Sequence, residues 1–142
     1  MTTDVFIDTN VLLYAVSNHA GEIDKKWKAR SLIETENFGL SLQVLQEFYV
    51  NATGKLAKSL PRLETLRFIE WLERFPIICP NMEMFHQAVD LRDRYQISFW
   101  DASIIAAAKT LGARIIYSED LAHGQKYAGI KVINPFLELP AH

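Results

Sequence analysis

Four places in the sequence carry acidic residues that could act together: Asp8, Glu47, Asp101 and the adjacent pair Glu119 and Asp120. Asp8 directly follows a short apolar run, and the adjacent pair follows another. Ligands of open α/β sheets gather outside the carboxyl ends of the strands, so acids that follow strands are candidates for a shared site. Asp101 stands at the head of a strongly apolar stretch, and Glu47 lies within an amphipathic one.

Carboxylates that a fold brings together repel one another, and some of them must take up protons. A hard divalent cation between them removes this conflict. All-oxygen ligands suit Mg²⁺ or Mn²⁺, whereas zinc more often recruits His and Cys. If the fold brings these acids together, they therefore favour a Mg²⁺ or Mn²⁺ centre.

Two of the acidic segments also have a purely structural interpretation. Asp8, Thr9 and Asn10 can all accept hydrogen bonds from the first free amides of a helix, which is typical of a helix cap. Ser98 and Asp101 match a capping box, in which the acid bonds to the backbone amide of the serine. For each segment taken alone, the sequence favours capping over a functional role.

The remaining acids are equally ambiguous. Glu47 lies about 150° from the centre of the apolar face of its helix, at ~100° per residue, which is typical of a solvated side chain. Ser118 and Asp120 can belong to a hydrogen-bonded turn, an interpretation as well supported as a ligand role. Spacing alone therefore assigns no function to these residues.

The apolar pattern predicts strands that alternate with helices. The predicted strands cover residues 5–7, a very short segment from residue 40, 77–79, 114–117 and 131–133. The predicted helices cover residues 11–16, 23–36, 42–53, 62–74, 82–95 and 100–111. This alternation predicts a mainly parallel central sheet with helices on both faces.

Three local details of this assignment can be checked separately. The helix over 23–36 is expected to end near Asn37 and Gly39, which tolerate a left-handed cap. Residues 121–127 are expected to form a loop or a short helix. The helix over 100–111 is apolar on nearly every side, so we expect it to be central and covered.

Composition limits the class of protein. The chain has 142 residues, 49% hydrophobic and 23% charged, which predicts one globular domain over residues 1–142. Fifteen Lys and Arg against seventeen Asp and Glu give a net charge of −2. A uniformly basic nucleic-acid-binding protein is thereby excluded, and contact with nucleic acid would need a local patch or a bound metal.

The sequence also bears on cellular location. The N-terminal residues lack the pattern of a secretory leader, and no apolar stretch approaches the ~20 residues that span a bilayer. The single cysteine, Cys79, cannot form a disulfide within the chain. We therefore expect a cytoplasmic protein with no membrane segment, in which Cys79 is a buried small hydrophobic residue.

Histidine and basic residues are weaker candidates. His86 is expected at the surface, and His123 could flank the acidic site. Four basic residues surround Trp27, namely Lys25, Lys26, Lys28 and Arg30. A second basic stretch contains Lys55, Lys58 and Arg62. Both stretches could contact RNA phosphates with Trp27 stacking on a base, although a solvated helix face is the favoured interpretation.

The order of the acidic segments resembles the PIN domain family. Residues 8–13 read Asp-Thr-Asn-Val-Leu-Leu after an N-terminal strand, a Glu follows within a helix, and 99–102 read Phe-Trp-Asp-Ala. Residues 118–125 read Ser-Glu-Asp-Leu-Ala-His-Gly-Gln, with Asn-Pro-Phe at 134–136. This last segment is similar to the VapC-type toxins of type II toxin-antitoxin pairs, and the resemblance covers essentially the full chain.

The resemblance implies a three-layer α/β/α fold and a metal-dependent endoribonuclease. Metal-binding and catalytic acids are implied at four positions: Asp8, Glu47, Asp101 and Asp120. Glu119 is the alternative to Asp120, which is preferred by counting from the serine before them. Thr9, Asn10 and Ser118 are implied as neighbouring hydrogen-bonding residues. Mg²⁺ or Mn²⁺ in such a site could hold a phosphodiester and activate water for in-line attack without a protein nucleophile.

The resemblance also implies two protein partners. One is a second copy of the chain, because the helices over 42–53 and 62–75 carry more large apolar side chains than a small sheet can cover. The other is a cognate antitoxin whose Arg or Lys could enter the acidic pocket, since guanidinium groups pair well with carboxylates.

Two other functions remain open from the residues. Asp8 could be the nucleophile of an aspartyl phosphatase, although such enzymes usually carry a second Asp where Asn10 stands. The acids could instead only cap helices in a non-catalytic interaction module. The sequence lacks a Gly-x-Gly-x-x-Gly fingerprint and a Walker A motif, which argues against a nucleotide-cofactor enzyme.

Overall fold

A computed structural model describes residues 3–54 and 60–137. Six strands are present in this part of the chain: β1 (Val5–Ile7), β2 (Phe38–Ser41), β3 (Ile77–Ile78), β4 (Ile115–Tyr117), β5 (Lys126–Tyr127) and β6 (Ile130–Ile133). They form one sheet in the order β3-β2-β1-β4-β6-β5. All neighbours pair in parallel except β5 and β6, which are antiparallel. The prediction of a mainly parallel sheet is confirmed.

The strands are connected by helices that flank the sheet. These are α1 (Thr9–Ala15), α2 (Ile23–Thr35), α3 (Leu42–Ala52), α4 (Arg62–Leu72), α5 (Met82–Tyr95) and α6 (Phe99–Leu111), with a 3-10 turn at Ala20–Glu22. Helix α6 is covered as expected, because its residues 104–108 are all buried. The three-layer α/β/α arrangement inferred from the sequence is therefore present.

The central strands β1 and β4 bring residues that are far apart in the sequence next to each other. β1 lies between β2 and β4, and its residues Phe6 and Ile7 are fully buried. Ile7 is in register with Tyr117 of β4. The Asp8 amide donates to the Tyr117 carbonyl at 3.0 Å. Asp8 and Ser118 therefore follow the carboxyl ends of two neighbouring strands, β1 and β4.

Gly39 does not cap a helix as predicted. Helix α2 ends at Thr35, followed by Glu36 in an extended conformation with φ −89° and ψ 145°. Gly39 lies within β2, where a Cβ atom would be 2.9 Å from Leu111 Cδ1 and 3.0 Å from Thr3 Cγ2. Close packing, not a left-handed backbone, therefore accounts for glycine at this position.

Residues 121–127 also differ from the expectation of a loop or short helix. They end in strand β5, which pairs antiparallel with β6 through Tyr127 and Ile130. The two residues between them, Ala128 and Gly129, have φ values of 51° and 84°. Positive φ at both positions is typical of the tight turn that matches the twist of a hairpin. The Ala128 amide donates to the Tyr95 hydroxyl at 2.7 Å, which fixes the turn against α5.

The prediction of a buried Cys79 is wrong, because this residue is exposed. It follows β3, which is the outer strand on one side of the sheet. An outer strand has a neighbour on only one side, so the residues after it are easily left open to solvent. Within the described residues, no helix has the length and apolar character needed to cross a bilayer.

Gly39→Ala is expected to lower the free energy of unfolding by about 1–3 kcal/mol, the usual cost of overpacking. The added methyl group would press on the Leu111 side chain. Chemical denaturation of the parent and the variant measures the difference. In a Leu111→Ala background the same change should cost less, because the crowding side chain has been shortened. An equal cost in both backgrounds would contradict the packing explanation.

Candidate active site at the carboxyl end of the sheet

The Asp8 carboxylate is buried where β1 ends and α1 begins. Only 6% of the residue is exposed. Its Oδ1 accepts a hydrogen bond from the Thr9 amide at 2.8 Å, as expected for a helix cap. Its Oδ2 accepts a hydrogen bond from the Ser118 hydroxyl at 2.7 Å. Asp8 thus caps α1 and also joins the ends of two strands.

Asn10 connects Asp8 to the segment after β4. Its Nδ2 lies 3.1 Å from Asp120 Oδ2, 3.4 Å from Asp8 Oδ2 and 3.4 Å from Ser118 Oγ. Its Oδ1 accepts a hydrogen bond from the Glu119 amide at 3.1 Å. A single amide group therefore donates to two acids and fixes the backbone between them.

Ser118 is fully buried and forms the predicted turn. Its Oγ accepts the backbone amides of Asp120 at 3.1 Å and Leu121 at 3.3 Å while its hydroxyl donates to Asp8. The turn and the acidic site are consequently one structure, so the structural and functional interpretations of this segment are compatible.

The adjacent acids Glu119 and Asp120 point to different places. Glu119 Oε2 lies 2.6 Å from Lys25 Nζ, and its Oε1 accepts a hydrogen bond from the Tyr14 hydroxyl at 2.7 Å. Asp120 instead accepts from Asn10, and its charge acts on Asp8. The geometry thus brings Asp120 to Asp8 and leaves Glu119 paired elsewhere.

The expectation that Glu47 faces solvent is wrong. The residue is half-buried, and its Oε2 accepts a hydrogen bond from the Thr9 hydroxyl at 2.9 Å. Its Oε1 accepts a hydrogen bond from Gln43 Nε2 at 3.1 Å. Helix α1 packs against α3 and covers the side of the helix that periodicity assigned to water. Glu47 is therefore close enough to Asp8 for their charges to interact.

Asp101 is less closely joined to the site. It is half-buried in the first turn of α6, and its amide donates to Ser98 Oγ at 3.1 Å, so the serine half of the predicted capping box is present. Among the described residues, no hydrogen bond joins the Asp101 carboxylate to the Ser98 amide, so the acid half of the box is absent there. Burial, followed by the charge of Asp101, raises the pKa of Tyr127. None of the hydrogen bonds among residues 3–54 and 60–137 joins its carboxylate to Asp8, Glu47 or Asp120.

The electrostatics of the site favour a cation. Burial raises the pKa of Asp8 to about 6 and outweighs the lowering effect of the hydrogen bonds from Ser118 and Thr9. The charges of Asp120 and Glu47 raise it further. Neither Asp8 nor Asp120 forms an ion pair within the described part of the chain. Two carboxylates that share an amide donor are better accommodated when a cation binds between them.

The donor set fits Mg²⁺ or Mn²⁺ in a particular way. Within the described residues, no group of three or more His, Cys, Asp or Glu side chains is arranged to hold a metal ion. Mg²⁺ commonly retains several waters and is bound by one or two carboxylates. Asp8 and Asp120 could supply such a pair, while Glu47 and Asp101 lie outside it in this conformation.

The two histidines singled out from the sequence form no hydrogen bond with the acids of the site among the described residues. His86 and His123 are both exposed, and His123 Nδ1 accepts the Asn134 amide at 3.0 Å. Lys55 and Lys58 of the predicted basic stretch lie outside the described residues. Lys25 is the basic residue that sequence reasoning undervalued, because nothing in its local pattern indicated a partner in the segment after β4.

Comparisons with known proteins identify the family of the chain. The sequence matches the model of the PIN domain over residues 5–128. No curated protein matches the chain.

Solved structures share the fold at low sequence identity. A toxin-antitoxin complex from Klebsiella pneumoniae is 22% identical with a TM-score of 0.67, and the match covers 93% of this chain and 98% of that one. DNA-bound VapBC from Salmonella typhimurium is 17% identical with a TM-score of 0.66, covering 93% and 97%. VapC20 from Mycobacterium tuberculosis, a sarcin-ricin loop cleaving toxin, is 18% identical with a TM-score of 0.65, covering 82% and 90%.

Asp8→Asn is expected to stabilise the metal-free protein at neutral pH. The folded-state pKa of about 6, against 3.8 for the free group, means that the folded state binds the proton more tightly than the unfolded chain. The stability that Asp8 contributes is therefore complete below about pH 4 and is lost as pH rises through about 6. In EDTA at about pH 7.5, the variant should gain roughly 1–3 kcal/mol of unfolding free energy, measured by urea denaturation.

The gain should disappear at about pH 4, where Asp8 of the folded parent is protonated and carries no buried charge. Asp90→Asn on α5 is a matched control, because this acid is exposed and should change stability by less than about 0.5 kcal/mol. Loss of stability in Asp8→Asn at both pH values would show that the hydrogen bonds of Asp8 outweigh the cost of burying its charge.

Proposed function

The chain belongs to the PIN domain family, and we propose that it is a divalent-metal-dependent endoribonuclease. One observation carries this proposal: the Asp8 carboxylate is buried, takes part in none of the ion pairs among residues 3–54 and 60–137, and is connected to Asp120 through Asn10. The fold relative VapC20 is a sarcin-ricin loop cleaving toxin, which supports RNA as the substrate class.

Asp8 and Asp120 would hold Mg²⁺ or Mn²⁺, with Glu47 and Asp101 as the remaining acids of the set. A bound ion would neutralise the charge of the phosphate and activate water for attack on it. Ser118 and Thr9 restrain both oxygens of Asp8 by hydrogen bonding. These donors favour the ionised carboxylate, which is the form that binds a cation.

The other polar residues hold the acids in place. Asn10 orients Asp120 through its amide nitrogen. Thr9 restrains Glu47 at a distance from which its charge still acts on Asp8. Asp101 is held by its place in the first turn of α6, where Ser98 caps the helix. The hydrolysis we propose needs no covalent intermediate on the protein.

We further propose that the protein is the toxin of a toxin-antitoxin pair and acts on RNA in the cytoplasm. Support comes from the fold relatives from Klebsiella pneumoniae and Salmonella typhimurium, which are a toxin-antitoxin complex and a VapBC complex. An antitoxin tail that carries Arg or Lys would pair with the acids and compete with metal.

A homodimer is the assembly we propose for the toxin. Helices α3 and α4 expose large apolar side chains, of which Val50 is 66%, Leu63 61% and Leu66 37% exposed. Burying these side chains against a second copy would remove apolar surface from water. Phe68 and Trp71 of α4 are half-buried and already pack toward the core, so they are not the main reason for self-association.

The test of the proposed activity is metal-dependent cleavage of a mixed RNA pool. The parent should cleave with Mg²⁺ or Mn²⁺ and lose activity in EDTA. Asp8→Asn and Asp120→Asn should each lower the rate by roughly 100-fold or more, because loss of a ligand should exceed the 10–100-fold typical of its supporting residues. Asp93→Asn, an exposed acid on α5, is the matched control and should retain activity.

Asp101→Asn separates a ligand from a cap in the same assay. As a cap alone, it should cost up to about 1 kcal/mol of stability with or without metal and keep its activity. As a member of the acid set, it should lose cleavage and most of the thermal stabilisation that metal gives the parent. Cleavage by the parent in EDTA, or a phosphorylated Asp8 after exposure to a phosphomonoester, would contradict the proposed activity.

Antitoxin binding provides a second expected outcome. Binding of the cognate antitoxin, measured by calorimetry in EDTA, should weaken when Asp8 or Asp101 is changed to Asn, because a basic tail loses part of its charge partner. Asp93→Asn should leave the affinity unchanged. The tail does not use the acidic site if both site variants bind as tightly as the parent.

A further inference from the structure

Glu119 is held by two side chains outside the acidic site. Lys25 Nζ lies 2.6 Å from Glu119 Oε2 and donates to the Tyr14 hydroxyl at 3.0 Å. The Tyr14 hydroxyl in turn donates to Glu119 Oε1 at 2.7 Å. The three residues form a closed polar triad that joins α1, α2 and the segment after β4.

The triad is more restrained than an ordinary surface ion pair. The Lys25 and Glu119 side chains are 36% and 29% exposed. Lys25 Nζ lies 4.6 Å from the centre of the Tyr14 ring and 5.6 Å from that of Phe136. The two rings pack edge to face with centres 4.9 Å apart. Ammonium groups are attracted to aromatic faces at such distances, so the rings restrict where Lys25 can place its charge.

The triad is connected to the acidic site through the backbone of Glu119. The Glu119 amide donates to Asn10 Oδ1, while Asn10 Nδ2 donates to Asp120 Oδ2. Lys25 and Tyr14 thus restrain the side chain of Glu119, and Asn10 restrains its backbone amide. A change in the position of Glu119 would move Asn10 and Asp120 together.

We propose that Lys25 is a positioning residue that, with Tyr14, keeps Glu119 out of the acidic site so that Asp120 faces Asp8. The inference rests on the proposed function. Two acids in sequence within one turn could otherwise exchange places, and the longer Glu119 would place its carboxylate differently from Asp120. Lys25 contacts neither Asp8 nor Asp120 and acts through Glu119 alone.

The experiment compares Lys25→Met with Lys28→Met. Both changes remove one positive charge from α2, but Lys28 is exposed and is not part of the triad. Lys25→Met should lower kcat for RNA cleavage by roughly 10- to 100-fold, as expected for a residue that supports a ligand. KM for RNA should stay within about twofold, because the residue does not bind the substrate. Lys25→Arg, which can still pair with Glu119, should restore most of kcat.

A second readout needs neither metal nor RNA. In EDTA, hydrogen exchange at the Glu119 and Asp120 amides should accelerate in Lys25→Met, because these amides donate to Asn10 and Ser118 within the restrained turn. Exchange in β6 should stay unchanged, since the triad does not include that strand. Lys28→Met and Lys25→Arg should both exchange like the parent.

Three results would overturn the inference. A higher KM with unchanged kcat in Lys25→Met would make the residue a phosphate contact. Lower thermal stability with unchanged kcat and unchanged exchange at residues 118–121 would make it a structural ion pair. Equal effects of Lys25→Met and Lys28→Met would show that the loss of any positive charge on α2, and not the contact with Glu119, lowers kcat. If the parent itself neither cleaves RNA nor gains stability from Mg²⁺, the proposed function fails, and the exchange experiment still decides the role of Lys25.

Discussion

The buried carboxylate of Asp8 is the charge around which the acidic site is organised. A carboxylate removed from water is costly unless hydrogen bonds or an opposite charge compensate it. Here a helix amide and the Ser118 hydroxyl compensate part of that cost, and the pKa of about 6 shows that part of it remains. The remainder is what a bound cation would remove. The charge of Asp8 therefore lowers the stability of the metal-free protein and at the same time favours the binding of a metal ion.

Helix capping and site formation use the same atoms. Asp8 caps α1 with one oxygen, and its other oxygen binds Ser118 across the sheet. Ser118 closes a turn and donates to Asp8 through a single hydroxyl group. A cap fixes a side chain relative to its helix, so it is also an effective way to aim a carboxylate. Local structural roles of these residues are therefore no argument against a functional role.

The sequence predicted the features that depend on local residue pattern. It did not predict the position of side chains whose surroundings are set by residues far away in the chain. Strand and helix positions followed from apolar periodicity, including the covered α6. Glu47 was misjudged because periodicity describes one helix and cannot show that α1 covers its polar side. The hairpin of β5 and β6 was missed because its turn requires a positive φ at Ala128, a residue type that rarely adopts it. The hydrogen bond from the Ala128 amide to Tyr95 supports this conformation. Lys25 and Glu119 are 94 positions apart, so no local pattern could pair them. The resemblance left Glu119 and Asp120 as alternatives, and Asp120 was preferred only by counting from Ser118.

The hydrogen bonds that complete the site join residues about 110 positions apart, as in Asn10 to Asp120. Contacts of such high sequence separation form late, because a long loop must close before they are made. During synthesis, a chain that has not yet emerged past β4 has Asp8 and Asn10 but not the turn that holds them. The acidic site is thus assembled only after the segment that follows β4 has emerged. The proposed nuclease would therefore lack its assembled site while the segment after β4 is still being synthesised.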